Sequence, residues 1–344
     1  MKITFILPTF NRKNFVARAI ESCLKINKNS KNIKATVLVL DGHSDDGAWE
    51  MLQKKYKDNK NVILKQVDKK LGFQETAFFG VSEVKTDYCT FMYNDDIISK
   101  YFFLVASKLK DNDQDFIMGY GKNVNINSVY KFRKPIFKKI HTQKIILNYF
   151  GSFKSLKYTS LPVSPVPSIS KTIILKKWIK EIRVFVKKSN FRKDMMIKQN
   201  IGPDLIIYLY NLMLMNKKIV FCNTTIAQLS YHKESMSIIY GKQPLTTGYW
   251  LSRIWYFEKY LNKKKNIDLL FSSKLSSYII VSGFYVFIIN ILNFNFRYSL
   301  SIISEITNTI RLCLIYKFLL KTIFELHIVI TNRIRRNKFF LTPN

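Results

Sequence analysis

The chain has 344 residues, of which 47% are hydrophobic and 15% aromatic. This composition excludes an intrinsically disordered chain, and the length allows one large α/β core with a smaller appendage. The formal net charge is +33, from 56 Lys and Arg against 23 Asp and Glu. Such an excess predicts attraction to phosphate, but nucleic acid, anionic lipid, a lipid-linked phosphate and a nucleotide diphosphate all fit it, and so does a biased coding composition.

The cysteines indicate the redox compartment. Cys23, Cys89, Cys222 and Cys313 stand far apart, and no pair has metal-ligand spacing. We therefore expect neither a structural zinc nor a disulfide framework. Met1 is followed directly by a strand-like run rather than by a charged and then apolar leader, so we expect a reduced, cytoplasmic protein.

The N-terminal part of the chain alternates short apolar runs with amphipathic stretches. Ile3–Leu7 is β-branched, apolar and bounded by Pro8, which predicts a buried parallel strand, and Asn14–Leu24 places its apolar residues on one helical face. Further strands are predicted at 35–40, 62–67 and 88–92, and further helices at 48–56 and 75–84. This alternation predicts an α/β fold, with a mostly parallel sheet flanked by helices.

The pattern weakens after the fourth strand. The segment 122–167 is basic and lacks clear periodicity, so we expect an irregular, mobile stretch and a candidate cover for a bound substrate. Beyond it, helices are predicted to begin near positions 171 and 203, and a strand is predicted at 218–222. We therefore predict a first domain that comprises residues 1–240.

Residues 241–344 have a different character, with long apolar helical runs broken by basic residues. Leu275–Phe296 carries no charge and is long enough to cross a bilayer, although its serines and asparagines dilute it. The alternative is a helix packed on the domain or at a dimer surface. Basic amphipathic helices ending in Arg333–Lys338 suit an anionic membrane, so we expect a helical extension that lies on a membrane rather than spanning it.

Three polar clusters follow predicted strands, where ligands of parallel sheets bind. The first, Pro8–Arg12, has many structural explanations as a turn. In the second, Asp41 precedes a Gly-rich stretch ending at Gly47; its carboxylate suits a base or ribose edge, although Asp and Ser here also suit a helix cap. In the third, Asp95 and Asp96 need a compensating cation and suit Mg²⁺ or Mn²⁺ bound to phosphates.

In this order and spacing, the clusters make residues 1–235 resemble glycosyltransferase family 2, inverting enzymes with the Rossmann-like GT-A fold. The family's Pro-x-Tyr/Phe-Asn-Arg matches Pro8–Arg12, and its Asp-x-x-Ser-x-Asp-Gly matches Asp41–Gly47. The family's Gly-x-x-x-Ala-x-x-x-Gly segment is matched in part by Gly72, Ala77 and Gly80, with Phe73 and Phe79 at the usual Asn positions. Tyr93 stands where the family's metal motif often has Asp. The resemblance implies a transferase that uses a nucleotide sugar.

The resemblance also implies roles for individual residues. Contacts to the donor nucleotide are expected from Pro8, Thr9, Asn11, Arg12, Asp41, Gly72 and Asp95. Asp96 is the expected ligand of Mg²⁺ or Mn²⁺, together with His232, although a lone histidine is as often structural. Pro167 and Ser168 are similar to the family's acceptor-side segment.

Asp204 is the candidate catalytic base. Gly202-Pro203-Asp204 looks like the family's base motif, and inverting transfer needs a carboxylate that takes the acceptor proton. Pro and Asp are also favoured in the first turn of any helix. The upstream motifs favour the catalytic interpretation.

Together these features predict a UDP-linked donor, a glycan or lipid-linked glycan acceptor in surface polysaccharide synthesis, and a peripheral position at the inner face of the plasma membrane. Three alternatives stay open. A nucleic-acid-binding protein fits the charge and the interleaved aromatics. However, the sequence contains no recognised nucleic-acid-binding module, and we do not expect nucleic acid as a partner. A sugar nucleotidyltransferase would show a Gly-rich phosphate loop after the first strand. An inactive, scaffolding relative fits the altered Tyr93 and Phe73.

Overall fold

The computed structural model describes residues 1–151, 166–215, 218–233, 235, 242–263 and 267–339. The chain divides into two compact units, Met1–Gln143 with Ser160–Ile239 and Lys144–Thr159 with Tyr240–Asn344. Of the described residues in the predicted first domain, 1–240, those at 144–151 group with the second unit, and the domain boundary near 240 stays a prediction.

The first unit alternates strands and helices. Its elements are β1 (Lys2–Thr9), α1 (Lys13–Asn29), β2 (Lys34–Asp41), α2 (Ala48–Tyr56), β3 (Val62–Gln66), α3 (Phe73–Glu83), β4 (Tyr88–Phe91), β5 (Ile97–Ile98), α4 (Phe102–Asp111), β6 (Phe116–Ile117), β7 (Tyr120–Asn125), β8 (Phe137–His141), β9 (Ile169–Lys171), α6 (Thr172–Val186), α7 (Asn190–Lys193), a π-helical turn (Asp194–Lys198), α8 (Pro203–Leu214), β10 (Lys218–Cys222) and β11 (Thr225–Tyr231). Helix α5 (Thr142–Gly151) begins in this unit and continues into the second.

A six-stranded sheet with the order β3-β2-β1-β4-β9-β6 forms the centre of the first unit. Strands β3, β2, β1 and β4 are parallel, and β9 runs antiparallel to both of its neighbours. The predicted mostly parallel sheet is confirmed. Because the parallel strands all end at one edge, the loops that follow β1, β2 and β4 meet there.

The central strands are apolar because helices cover both faces of the sheet. Every residue of β1 after Lys2 is buried. Helix α1 turns a face with Val16, Ala19 and Ile20 toward the core. Helix α3 approaches β1 and β2 closely at Gly80, where a Cβ atom would lie only 2.7 Å from the Leu40 side chain.

The predicted irregular stretch at 122–167 is wrong for much of its length. It contains the end of β7, all of β8 and the helix α5. Strand β8 pairs antiparallel with β10, and β7 pairs with β11, which also pairs with β5. These strands are edge-like and carry exposed Lys and Asn, so pairing with distant segments rather than an apolar pattern defines them. Residues 152–165 of the stretch lie outside the described residues.

The second unit is helical in its described part, as predicted. Its helices after α5 are α9 (Lys242–Lys263), α10 (Leu269–Leu292), α11 (Ser299–Ile315) and α12 (Leu319–Phe339), with a 3₁₀ turn at Phe296–Tyr298. Helix α10 packs against α9, α11 and α12. Tyr149 and Phe150 of α5 pack on α9, where the Tyr149 carbonyl accepts a hydrogen bond from Arg253 and Phe150 meets Tyr256 edge to face. This packing is why α5 belongs to the second unit.

Helix α10 is long and apolar enough to cross a membrane by length and composition, with a mean hydropathy of 2.0 over its best window. Half of that window is buried inside the protein. The helix thus also meets the description of a core helix.

Candidate active site

The site begins where β1 and β2 end side by side. Thr9 lies opposite Asp41 in the parallel register. The two chain segments stay paired just beyond β1 and β2, because the Gly42 N–H donates to the Thr9 carbonyl at 3.0 Å. On the other side of β1, the Met92 N–H donates to the Ile6 carbonyl, which carries β4 into the loop 93–96.

Side chains of the first two motifs brace their loops against each other. The Asn11 backbone N–H donates to Ser44 Oγ at 2.9 Å, and Asn11 Oδ1 accepts from the Asp45 N–H at 3.0 Å. Asp46 accepts from the N–H groups of Lys13 and Ala48, the first residues of α1 and α2. Asn11 adopts a φ of 52°, which this residue type tolerates better than most. The predicted contact residue Asn11 thus also orders the loop.

Asp41 is fully buried. Its carboxylate accepts hydrogen bonds from the Ser44 hydroxyl at 2.6 Å, from the Ser44 N–H at 3.1 Å and from Gln66 at 3.3 Å. The hydroxyl of its neighbour Thr9 is buried and has no partner among the described residues. The Thr9 hydroxyl is therefore a buried polar group with unused hydrogen-bonding capacity at this strand end.

The rest of the predicted donor-binding set surrounds this strand end. The Phe10 side chain is 53% exposed and lies against Gly42. The Pro8 carbonyl is 3.4 Å from the Asn94 amide, which links the first loop to the third. Arg12 bonds back to the Asn11 carbonyl. Gly72 precedes α3 and has open space around it.

Asp96 is buried and only half satisfied. One carboxylate oxygen accepts from the Ser230 N–H at 2.8 Å, while the other, Oδ2, has no partner among the described residues. Burial, and then the negative charge of Asp95, raises the pKa of Asp96 well above its ordinary range. The Ser230 N–H and the nearby Arg18 guanidinium act in the opposite direction.

Arg18 of α1 holds this loop in place, a role that the sequence did not indicate. Its guanidinium donates to the Asp95 and Ile126 carbonyls, each at 2.9 Å, and to Ser230 Oγ at 3.3 Å. In the sequence Arg18 is one more charge on an amphipathic helix. Its partners lie 77, 108 and 212 residues away, so no local pattern reveals them.

His232 pairs with Asp95 rather than with Asp96. Its Nε2 lies 3.0 Å from Asp95 Oδ2, and both side chains are largely buried. The ring also contacts Phe15, and the His232 N–H donates to Ser235 Oγ. The structure thus brings the predicted donor contact Asp95 and the predicted metal ligand His232 into one pair.

The acceptor-side residues anchor β9 to α8. Ser168 Oγ donates to the Tyr208 hydroxyl at 3.1 Å, and Ser170 Oγ donates to Asn211 at 2.9 Å. Pro167, just before Ser168, is buried beside Gly119. Because Tyr208 and Asn211 belong to α8, these contacts fix the helix that carries Asp204.

Asp204 lies in the first turn of α8. Gly202 precedes it with a φ of 107°, which favours glycine, and Pro203 follows at a position where the missing N–H costs nothing. Asp204 is only partly buried, although its neighbours in α8 are buried. Its negative charge reaches Tyr93.

Tyr93 connects Asp204 to the third cluster. Burial first, then the charges of Asp204 and Asp96 and more weakly Asp95, raises the pKa of the Tyr93 phenol well above its ordinary value. The Tyr93 ring also packs 5.9 Å from that of Phe73, the first residue of α3. Asp204, Asp95 and Asp96 are thus near enough to this phenol for their charges to act on it.

The chemistry of these donors fits a divalent cation that is shared with a ligand. Asp96 Oδ2 is a buried oxygen without a partner in the described residues, and a cation would relieve the repulsion between Asp95 and Asp96. In the described part of the chain, no three His, Cys, Asp or Glu side chains are grouped to hold a metal unaided. Phosphate oxygens of a bound ligand would have to complete the coordination.

Comparison with known proteins places the chain in a family. The sequence profile described as glycosyl transferase family 2 matches residues 4–183. The chain is 26% identical over 182 residues to abequosyltransferase RfbV of Salmonella typhimurium, covering 52% of this chain and 53% of that protein. It is 31% identical over 147 residues to poly(ribitol-phosphate) β-N-acetylglucosaminyltransferase TarP of Staphylococcus aureus, covering 42% and 43%. The matches span about half the length of these relatives.

Solved structures show the same fold. The crystal structure of S. aureus TarS 1–349 in complex with UDP-GlcNAc matches with a TM-score of 0.53 and 13% identity, covering 96% of this chain and 90% of that one. TarS 1–349 in complex with UDP matches with the same TM-score and 16% identity, covering 81% and 71%. With the profile match over more than half of its residues, the chain belongs to glycosyltransferase family 2 and carries a GT-A glycosyltransferase domain.

Proposed function

We propose that this protein transfers a sugar, with inversion, from a UDP-linked donor to a hydroxyl group of a glycan or lipid-linked glycan. The observation that carries the proposal is the pair of carboxylates after β4, beside the ends of β1 and β2, in which Asp95 pairs with His232 and Asp96 Oδ2 is buried without a partner in the described residues. This carboxyl edge of the sheet is where α/β sheets bind nucleotides. The candidate base Asp204 acts electrostatically on Tyr93 of the same loop, which supports assigning it to this site.

The uracil end of the donor is assigned to the ends of β1 and β2. The exposed Phe10 ring offers a flat apolar face for the base, and the Thr9 hydroxyl offers a hydrogen bond. Asp41 stays a proposed contact to the base. Its carboxylate accepts three hydrogen bonds, one on Oδ1 and two on Oδ2, so Oδ1 keeps a lone pair for a donor of the base.

The diphosphate is assigned to the loop after β4. Asp96 would hold Mg²⁺ or Mn²⁺, with the Asp95–His232 pair beside it, and Asp95 or His232 would contact the ribose or the phosphates. The cation, when bound, stabilises the negative charge of the departing diphosphate. Arg18 keeps the loop in position for both groups.

Asp204 is assigned as the general base. Its carboxylate takes the proton of the acceptor hydroxyl while that oxygen forms a bond to the anomeric carbon of the sugar. The bond between the anomeric carbon and the diphosphate oxygen breaks on the opposite face, which inverts the configuration. Because the charges of both Asp204 and Asp96 act on Tyr93, we also propose Tyr93 as a contact to the sugar.

The acceptor is assigned to the side of α8 and of the segment before β9. The hydrogen bond between Ser168 and Tyr208 holds these elements together. Pro167, just before Ser168, is buried beside Gly119. The relatives TarP and RfbV transfer sugars, and the name of TarP gives poly(ribitol phosphate) as its acceptor. The charge of +33 suits an acceptor of that kind, which carries phosphate, at the cytoplasmic face of a membrane.

A thermal-shift panel tests the donor assignment. UDP, GDP, CMP and common nucleotide sugars are added with and without Mn²⁺ to the wild type, to Asp96→Ala and to the matched control Asp58→Ala, which removes an exposed acid remote from the site in sequence. A ligand at 100 times its Kd stabilises the folded state by about 2.7 kcal/mol. We expect this shift with UDP compounds and Mn²⁺ in the wild type and in Asp58→Ala, and its loss in Asp96→Ala.

Two results would contradict the proposal. No shift with any nucleotide, in protein that is shown to be folded, would favour the nucleic-acid-binding or scaffold alternatives. A shift with UDP that is equal in Asp96→Ala would show that the diphosphate does not bind at the loop after β4. Release of UDP from UDP-sugars by the wild type, measured in parallel, links binding to transfer.

A further inference from the structure

The helices of the second unit carry many exposed apolar side chains in addition to a buried apolar core that includes Leu275, Ile279 and Ile302. In water, helices bury apolar side chains and expose polar ones. Here α10, α11 and α12 expose large apolar residues at helical spacing, while serines, threonines and glutamates are buried between them. A surface of this kind is costly in water unless something apolar covers it.

The outer apolar face is defined by Leu292, Phe294, Leu300, Leu314, Leu320 and Phe324. Phe294, Leu300 and Leu320 are each more than 80% exposed, and the other three are more than half exposed. On α12, Leu320 and Phe324 are four residues apart, so they share one side of the helix.

Several contacts between the helices use small or polar side chains. Ser276 Oγ of α10 hydrogen bonds to Thr322 Oγ1 of α12 at 2.9 Å, and Ser277 Oγ donates to the Thr322 carbonyl at 3.0 Å. Gly283 packs against Ile306 and Trp250 with no room for a Cβ atom. Small residues and interhelical hydrogen bonds are how helices associate when their surroundings are apolar.

The charges beside the outer apolar face have one sign. Arg297, Arg311 and Lys321 are exposed on these helices or the turn between them. The acidic residues Glu305 and Glu325 are buried, so no exposed side chain in the described part of α10 to α12 is acidic. Such a surface is complementary to an anionic lipid layer.

We propose that the outer apolar face is the surface by which this protein enters the interfacial layer of an anionic bilayer, lying in it rather than crossing it. Arg311 sits within α11, between Leu300 and Leu314, and an exposed arginine there favours the headgroup level over the hydrocarbon centre. The proposal goes beyond sugar transfer and does not depend on it.

Vesicle flotation of the full chain tests the proposal. Vesicles of phosphatidylcholine alone are compared with vesicles that also contain phosphatidylglycerol. The variants are the pair Leu300→Glu with Leu320→Glu, the pair Arg311→Gln with Lys321→Gln, and the control Val184→Glu, which alters an exposed apolar residue of α6 in the first unit. Far-UV circular dichroism verifies helix content, and light scattering after gel filtration gives the oligomeric state.

We expect the wild type to float with the anionic vesicles and the control to behave identically. Each cation near an anionic surface contributes roughly fivefold to binding, so the cation pair should weaken binding by roughly thirtyfold. The glutamate pair should abolish flotation without loss of helix content. Failure of the wild type to float would overturn the proposal. A second result would also overturn it: the wild type is an oligomer, the glutamate pair dissociates it, and neither the oligomer nor the monomer binds vesicles. The outer apolar face would then be the contact with a second copy of the chain. Neither result bears on donor binding.

Discussion

Replacement of Arg18 by methionine separates positioning of the active-site loop from chemistry. Methionine keeps the apolar stem on α1 and removes the guanidinium. The Asp95 and Ile126 carbonyls and the Ser230 hydroxyl then lose their common donor. The variant changes no residue proposed to touch substrate.

The size of the effect follows from these contacts. An acceptor left unsatisfied in a buried site costs about 1–3 kcal/mol. The two carbonyl contacts are short and partly buried, and the third is longer, so we expect a loss of about 2–3 kcal/mol in the free energy of unfolding. For a unit of this size that corresponds to a fall of about 5–10 °C in melting temperature.

Differential scanning calorimetry measures the shift in Arg18→Met beside two controls. Arg18→Lys keeps the charge but not the fork of donors, so it should recover only part of the loss. Arg133→Met removes an exposed arginine outside the site and should change little. Arg18→Met should also weaken the Mn²⁺-dependent thermal shift with UDP. Without the positive guanidinium the pKa of Asp96 rises further, so the carboxylate that would bind Mn²⁺ is more often protonated.

A melting temperature of Arg18→Met within about 1 °C of the wild type would refute this reasoning. The loop after β4 would then be held by its other contacts, and Arg18 would be a surface charge. Equal loss in Arg133→Met would show that the effect belongs to net charge instead.

Three further predictions concern the base, the packing of the sheet and pH. Asp204→Asn should lower turnover about 10²–10⁴-fold while the thermal shift with UDP and Mn²⁺ persists, and loss of both together would argue against a role as base. Gly80→Ala forces a Cβ atom to within 2.7 Å of Leu40 and should cost about 1–3 kcal/mol in urea unfolding. Gly72→Ala, in open space, should cost much less, and equal costs would show that the sheet yields at Gly80. Burial raises the pKa of Asp96, so its carboxyl keeps a proton to higher pH in the folded state than in the unfolded state. Cation-free protein should therefore lose stability as the pH rises from mildly acidic to neutral, and calorimetry on Asp96→Asn should show a flatter profile. Coincident profiles would mean that another group titrates.

Strands β1, β2 and β4 could be predicted from sequence because most of their residues are buried. A parallel strand covered on both faces is a continuous apolar run, and Ile3–Leu7 is one. Strands β7 and β8 could not be predicted in this way. Their hydrogen bonds come from β11 and β10, roughly a hundred residues later in the chain, and their exposed side chains are polar.

The same distinction applies to the site. Thr9, Asp41 and Asp96 could be grouped in advance, because parallel strands end at one edge and each residue follows such a strand. The partner of Asp95 is His232, at 3.0 Å, and nothing local to either residue predicts it. The proximity of Tyr93 to Asp204 likewise depends on how α8 packs against β9, through Ser168 and Tyr208 rather than through any sequence spacing.

The loop after β4 is held by β11 and the residues that follow it, which end the first unit, so the loop can be completed only after that segment has been synthesised on the ribosome. Asp96 and Arg18 both bond to Ser230, and Asp95 pairs with His232. A nascent chain that has emerged only as far as β10 can build most of the central sheet but not this corner. The proposed diphosphate site is therefore completed only at a late stage of synthesis, and an unfinished or prematurely terminated chain that lacks β11 leaves the loop after β4 without these contacts.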